Sequence, residues 1–230
     1  YLIVSTGTTF RASIGNAFAA PTLEDLYWAL DGFEQGNPNL KPETSVEYEG
    51  GVEQSLGTGQ VLKLTVFDRH VTDLIVWVPD PITFIYSPIN IGDARISGYE
   101  AEAKFTFFNA LTWAVNYTYM NPKDVDTGGY VPGVPAEQLK SHVNITFPTK
   151  TNLYIEGRYV RNYLQPDPTP NPSAHYIVVD AKILQPLTFG SHLKADLFVG
   201  IKNLTNRSYE VIAEYPMPPT EVYAGLTARF

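Results

Sequence analysis

The chain has 230 residues, 17% charged and 44% hydrophobic, with a net charge of −8 and no cysteine. The charged share lies well below the roughly 25% of an ordinary soluble domain, the apolar share excludes intrinsic disorder, and no window approaches the roughly 18 consecutive apolar residues of a membrane-spanning helix. The acidic balance argues against nucleic-acid binding, which needs a basic face against phosphates, and the missing cysteines remove disulfides and thiolate metal sites.

From the first residue, Tyr1-Leu2-Ile3-Val4 carries neither Met nor the basic n-region of a signal peptide. The chain is therefore expected to be a processed product, a fragment or a part of something longer. Beyond this start the dominant signal is strict apolar–polar alternation, the period of half-exposed strands. A first strand is predicted near 2–14. In the long stretch after it, 22–30 carries the one helical signature, with Pro21-Thr22 as a start and Glu24 and Asp25 at the positive end of the helix dipole. At 43–53, Val46, Tyr48 and Val52 alternate with Glu43, Glu47, Glu49 and Glu53. At 62–76 the apolar face of Leu62, Leu64 and Val66 is interrupted by Asp68 and His70 before Leu74 and Val76 resume it. That strand is expected to rise out of its apolar surroundings or to carry a bulge. At 97–107, Tyr99, Ala101, Ala103, Phe105 and Phe107 oppose Glu100, Glu102, Lys104 and Thr106, and at 111–119, Leu111, Trp113, Val115, Tyr117 and Tyr119 form one face. Shorter patterns follow near 143–147, 153–159 and 177–183, then clean alternation at 193–201 and 222–230, giving about ten strands.

The connections alternate in length: short near 55–59, 108–110, 148–150 and 185–191, long near 17–42, 79–93, 121–140, 163–174 and 203–220. An all-β antiparallel meander with tight turns at one end and long loops at the other is the signature of an outer-membrane β-barrel, with short turns in the periplasm and long loops outside. Ten strands return the chain to its starting side, so both termini are expected to be periplasmic. The alternative is a soluble β-sandwich or lipocalin-like barrel with its apolar face inward. Two features favour the membrane: charges at successive positions of one face (Glu47 with Glu49; Glu100 and Glu102 with Lys104), and aromatic residues near strand ends (Trp77, Trp113, Tyr117, Tyr119, Tyr159, Phe230), where an interfacial girdle belongs.

Catalytic signals are poor. His70, His142, His175 and His192 show no metal-ligand spacing, and no Gly-x-Ser-x-Gly elbow occurs. Glu47/Glu49 and Glu100/Glu102 share strand faces, as an acid/base pair needs, but a charged lumen wall accounts for them. Asp124, Asp126 and Asp167 lie in long loops, where oxygen ligands can take Ca²⁺; loose acidic loops are the commoner case. No catalytic residue, cofactor or metal site is assigned.

Four ordered motifs resemble those of TonB-dependent outer-membrane receptors. They are Arg11-Ala12-Ser13-Ile14-Gly15-Asn16-Ala17-Phe18 with Ala19-Ala20-Pro21-Thr22-Leu23-Glu24-Asp25-Leu26-Tyr27; Gly36-Asn37-Pro38-Asn39-Leu40-Lys41-Pro42-Glu43-Thr44-Ser45 with Tyr48-Glu49-x-Gly51; Asn90-Ile91-Gly92-Asp93-Ala94-Arg95-Ile96-Ser97-Gly98-Tyr99-Glu100; and Lys202-Asn203-Leu204-Thr205-Asn206-Arg207-Ser208-Tyr209. The terminal aromatic Phe230 resembles the signal read by the barrel-assembly machinery. In place of the Pro-Gly-Arg that such receptors often carry before the last strand stands Pro218-Pro219-Thr220, so no role for an arginine there is carried over.

The resemblance implies the last ten strands of a twenty-two-stranded barrel, spanning 1–230, with no plug domain and no TonB box in this chain. It implies a bacterial outer-membrane receptor that binds a scarce nutrient, such as a ferric siderophore, cobalamin or similar metal chelate. Import would draw on TonB energy through a plug missing here. The motif residues are expected to be architectural. Pro38 and Pro42 fix φ and favour an extended lead into the strand, Lys41 and Glu43 are placed to pair across a turn, and Gly98 admits a bulge or a close backbone approach. Ligand contact is expected from the loop aromatics Tyr27, Trp28 and Tyr86, beside Phe18, Leu26, Phe33 and Phe84, since bulky, partly apolar ligands take aromatic linings with a few polar groups. The Pro-rich segment 163–174 is expected to be stiff. Rival readings are a self-contained ten-stranded barrel acting as a surface enzyme, or a structural or adhesive protein.

Overall fold

Period-two alternation places one apolar and one charged face on each strand, and pairing neighbours in register makes both faces continuous. The computed structural model describes residues 2–3, 6–131, 134–162, 175–189, 193–212 and 215–229. Its ten long strands are β1 (Thr8–Ala19), β2 (Glu43–Ser55), β3 (Gln60–Thr72), β4 (Asp93–Phe107), β5 (Leu111–Asp124), β6 (Pro135–Thr146), β7 (Asn152–Asn162), β8 (His175–Phe189), β9 (Leu193–Lys202) and β10 (Glu221–Arg229). Each pairs antiparallel with the next in one sheet, and Leu2–Ile3 adds a two-residue strand beside β1. β1 and β10 do not pair, so the sheet is open. Among the described residues the only helix is Leu23–Tyr27, shorter than the predicted 22–30.

The tight turns explain themselves. Phe108 and Asn109 both take positive φ (51° and 54°) and the Ala110 amide donates to the Phe107 carbonyl, 3.0 Å, the type I′ geometry that matches strand twist. At the next tight turn Lys150 takes the left-handed position (φ 65°), its amide donating to the Phe147 carbonyl.

The apolar face carries Ile14, Tyr48, Leu64, Val66, Leu197 and Leu226 exposed, and it bears two aromatic bands. Phe105 stacks on Trp113 (5.7 Å between centroids) and lies by Phe107; six residues further along β4, Tyr99 stacks on Tyr119 (5.5 Å) beside Tyr117. That separation is about 20 Å along a strand. Only Ala101, Ala103 and Val115 lie between the bands on the paired β4 and β5. The opposite face is laced by ion pairs across adjacent strands: Arg11–Glu53 (2.9 Å), Lys63–Glu102 (2.8 Å), Arg69 with Glu47, Lys140–Glu156 (3.1 Å) and Arg158–Asp180 (3.1 Å).

Strands run further than alternation predicted. β1 starts only at Thr8, since Leu2–Ile3 folds back on it, but continues to Ala19; β5 runs to Asp124, β6 starts at Pro135 and β8 covers His175–Phe189, because ladder pairing continues past the segments of clean alternation. β3 carries no bulge: its registers with β2 and β4 run unbroken. Asp68 and His70 are met instead by partners on β4, Arg95 in a bidentate pair (2.8 Å for both contacts) and Asp93 (3.4 Å). The strand rises beyond the tyrosine band. Leu74 and Val76 do not extend β3; Val76 belongs to a separate loop hairpin, Ile75–Pro79 with Tyr86–Asn90. A second loop hairpin pairs Glu210–Ile212 with Tyr215–Pro216.

Candidate ligand-binding loops

The first two long connections, 20–42 and 73–92, build one platform from short-range rules. Thr22 caps the helix in a capping box: its hydroxyl accepts from the Asp25 amide (3.0 Å) and the Asp25 carboxylate accepts from the Thr22 amide (2.9 Å). The chain then folds back on the helix, the Gly36 amide donating to Trp28 O (2.9 Å) and the Asn37 amide to Asp25 O (2.7 Å). A Cβ on Gly36 would lie 2.6 Å from the Trp28 nitrogen and 2.8 Å from that of Tyr27, so glycine alone permits this approach. Segment 33–35 runs parallel to the loop hairpin: the Tyr86 amide donates to Phe33 O (2.7 Å) and the Gln35 amide to Tyr86 O (2.9 Å).

Side chains lock the platform. Asn37 Nδ2 donates to Pro88 O (3.0 Å) and Trp77 Nε1 to Asp25 Oδ1 (3.0 Å). Asn90 accepts from the Lys41 amide (2.8 Å) and donates to Lys41 O (3.0 Å) and Asp73 O (2.7 Å). Glu43 Oε1 accepts from the Ile75 amide (2.7 Å), and Lys41 Nζ lies 3.8 Å from Asp73 Oδ1. The expected Lys41–Glu43 pair is thus replaced by contacts of both residues to the second loop. Pro38 and Leu40 lie between these anchors, the Leu40 amide 3.4 Å from Asn37 O, and Pro42 leads into β2.

Aromatic side chains stand on this base. Tyr27 is 67% exposed and Trp28 39%, and with Leu23, Glu24, Ala29 and Asp31 they line an open hollow of about 540 Å³. Tyr86, 47% exposed, belongs to the hairpin and lies outside that lining. Phe33, Phe84 and Ile82 are exposed nearby in sequence. Asp31 organises the hollow's rim, accepting from the Phe33 and Glu34 amides (2.9 Å each) and from Trp28 Nε1 (3.2 Å). Those bonds hold its carboxyl below the ordinary carboxylate value. At Asp25 burial pushes the pKa up, but the bonds from Thr22 and Trp77 outweigh it and the net shift is downward. Sequence reading missed Asp31 as an organiser; the Asp-Gly pair at 31–32, a turn signal, was the available cue.

The other motif residues sit in the wall and the last loop. Gly98 on the charged face of β4 underlies the Phe67 ring, with the Tyr119 carbonyl against the place a Cβ would take; the expected close approach is present and the bulge is not. Glu100 lies one step along the same face, opposite Thr65. Asn203, 3% exposed with φ 49°, donates to Arg207 O (2.9 Å) and Pro218 O (3.1 Å) and accepts from the Arg207 amide (2.8 Å). The Leu204 amide donates to Val179 O, 2.7 Å. At the end of β5, Asp124 Oδ1 accepts from the Asp126 and Thr127 amides, and among the described residues no group of three His, Asp or Glu is arranged to hold a metal ion. Phe230, Asp167, His192 and the prolines of 163–174 lie outside the described residues.

Asn90→Ala leaves three backbone groups without their partner, each worth about 1–3 kcal/mol where water cannot replace it. The expected result is at least about tenfold faster proteolysis within 20–42 with unchanged thermal unfolding of the sheet. Docking of this loop is also expected to fade in acid. The folded pKa of Asp25 is depressed, so its contribution is present above the unfolded value near 4 and is lost as pH falls through the folded one. Limited proteolysis across pH 7 to 3 reads both.

Known proteins provide an independent comparison. The family model described as "TonB dependent receptor-like, beta-barrel" matches residues 1–204. A stretch of 115 residues, 50% of this chain and 18% of the relative, is 37% identical to the vitamin B12 transporter BtuB of Vibrio vulnificus, and the BtuB of Photobacterium profundum matches at 37% over 118 residues. Among solved structures, the copper transporter OprC superposes with a TM-score of 0.78 at 17% identity over 100% of this chain and 38% of its own. The ferric enterobactin receptor PfeA of Pseudomonas aeruginosa superposes with a TM-score of 0.72 at 22% identity over 98% of this chain and 39% of its own. This chain therefore spans well under half the length of the proteins it resembles.

Proposed function

The chain belongs to the TonB-dependent receptor β-barrel family, and from that premise we propose that it forms the C-terminal ten strands of an outer-membrane nutrient receptor. The open sheet supports this reading, since two long edges, one of them paired only at Thr8 and Thr9 by Leu2–Ile3, need further strands to close a barrel. The charged face lines the lumen, and the apolar face with its two aromatic bands meets lipid. The tight turns and both termini then face the periplasm and the long loops face outside. Phe230 serves as the assembly signal, and coupling to TonB runs through a plug carried elsewhere in the receptor. The relatives named above are transporters and receptors, and this chain is given no catalytic role.

The observation that carries the reading is the hydrogen-bonded platform of 20–42 and 73–92, which presents Tyr27 and Trp28 around an open hollow. Rigid aromatic anchors on a fixed base capture a bulky metal chelate or corrinoid at little ordering cost. Asn37, Pro38, Leu40, Lys41, Pro42 and Glu43 act as its scaffold, Gly98 and Glu100 as wall, and Asn203 and Leu204 as the scaffold of the last loop. Cells carrying the full-length receptor are to be tested for uptake of labelled cobalamin, ferric siderophore and copper. Tyr27→Ala with Trp28→Ala is expected to lower uptake of whichever ligand the unmodified receptor imports by about tenfold or more, at unchanged receptor abundance. Uptake unaffected for every ligand would remove the platform from the binding site. Tyr86→Ala is expected to have the smaller effect, because Tyr86 lies outside the hollow.

A further inference from the structure

Charge is partitioned along this chain in a way that alternation does not require. The five segments at the long-loop end (20–42, 73–92, 125–134, 163–174 and 203–220) hold ten of the 24 acidic residues and two of the 16 basic ones, Lys41 and Arg207. The remaining 14 acids and 14 bases lie in the strands, tight turns and termini, so the entire net charge of −8 resides in the long loops and the wall is neutral.

The two sets of carboxylates are also held differently. In the wall, acids face bases: Glu53 meets Arg11, Glu102 meets Lys63, and Glu156 meets Lys140. In the loops, Asp73 faces Lys41 at 3.8 Å, but three other acids are fixed by neutral donors. Asp31 is held by two amides and the Trp28 indole, Asp80 by the Ile82 and Thr83 amides, and Asp25 by Thr22 and Trp77. Neutral donors orient a carboxylate without cancelling its field, and like charges around a concave surface reinforce one another. Glu24 and Asp31 line the aromatic hollow, and that lining contains no base.

We propose that this sector of the receptor mouth selects ligands by charge, admitting cationic or uncharged metal complexes with apolar faces and repelling polyanionic ones. The inference rests on the receptor reading for its ligand and names the class that reading left open. The bonds that fix Asp31 and Asp80 keep both carboxyls below the ordinary carboxylate value, so the field persists in mildly acidic media.

The test uses the full-length receptor in vesicles of zwitterionic lipid. The Trp28 contribution to fluorescence, taken as the difference from Trp28→Phe, is quenched with caesium or iodide, each normalised to free N-acetyltryptophanamide. Caesium is expected to quench about threefold more effectively than iodide at low ionic strength, and the preference is expected to collapse in ~0.5 M salt and to shrink in Glu24→Gln/Glu34→Gln. Titration of the same signal with two iron(III) chelates of similar size is expected to favour a cationic one over a trianionic one by about tenfold. Equal or better quenching by iodide, or tighter binding of the trianionic chelate, overturns the proposal. A caesium preference in a receptor that imports nothing would remove the receptor reading and leave the charge selection standing; an iodide preference in a receptor with intact uptake would do the reverse.

Discussion

Asn203→Ala is expected to destabilise the receptor by about 3 kcal/mol. The Asn203 side chain makes three hydrogen bonds that tie the start of the last long loop to Arg207 and Pro218, and removing a partner from a buried polar group costs about 1–3 kcal/mol, less where water can substitute. Its backbone sits at φ 49°, where alanine adds roughly another 1–2 kcal/mol. The two contributions separate by substitution. Asn203→Gly keeps the left-handed backbone and loses only the bonds, so it is expected to cost about 2 kcal/mol. Asn203→Asp keeps the acceptor for the Arg207 amide, but it turns a donor into a carboxylate near Asp180, whose Oδ1 already accepts from the Asn203 amide at 2.8 Å. It is expected to be no better than glycine. Urea unfolding in lipid vesicles, followed by tryptophan fluorescence, orders the three variants; an alanine variant as stable as the parent would show that Asn203 does not hold the loop.

Gly98→Ala is the second large effect, with an expected loss of about 3 kcal/mol or failure to assemble. An added Cβ would meet the Tyr119 carbonyl oxygen, a backbone atom held in the β4–β5 ladder, as well as the Phe67 ring. Removing the ring therefore cannot restore the fold, and Gly98→Ala/Phe67→Ala is expected to remain defective. Gly200 provides the contrast. There the nearest atoms to an added Cβ all belong to the Tyr223 side chain, so the damage of Gly200→Ala is expected to be relieved by Tyr223→Ala. The heat-modifiable mobility of the folded barrel on electrophoresis distinguishes the pairs. Rescue of Gly98→Ala by Phe67→Ala would mean that the backbone contact yields.

Much of the fold was legible because its governing pattern is local. Val46, Tyr48 and Val52 against Glu47, Glu49 and Glu53 define two faces within β2 whatever its neighbours are, and the alternation of short and long connections orders the strands. The candidate site was legible only as composition: Tyr27, Trp28 and Tyr86 stood out as loop aromatics, while Asp25 read as a helix-start acid, Asn90 as part of a motif and Trp77 as a girdle aromatic, although Trp77 lies in the loop hairpin bonded to Asp25. Their partners lie 52, 49 and 17 positions away for the Asp25–Trp77, Lys41–Asn90 and Asp73–Asn90 contacts, and no sequence period spans such distances.

By itself the sequence determined the all-β class, the apolar and charged faces of each strand, the meander order and the family, since each follows from patterns within one strand or one motif. The tertiary structure alone decided where strands end, which charges meet and what the motif residues touch. Asp68 and His70 look like a broken face until β4 brings Arg95 and Asp93 beside them. Lys41 looks like a partner for Glu43 until the second loop presents Asp73 and the Ile75 amide. Strand pairing is a contact between distant segments, and register, not local pattern, sets which side chains share a cross-strand position.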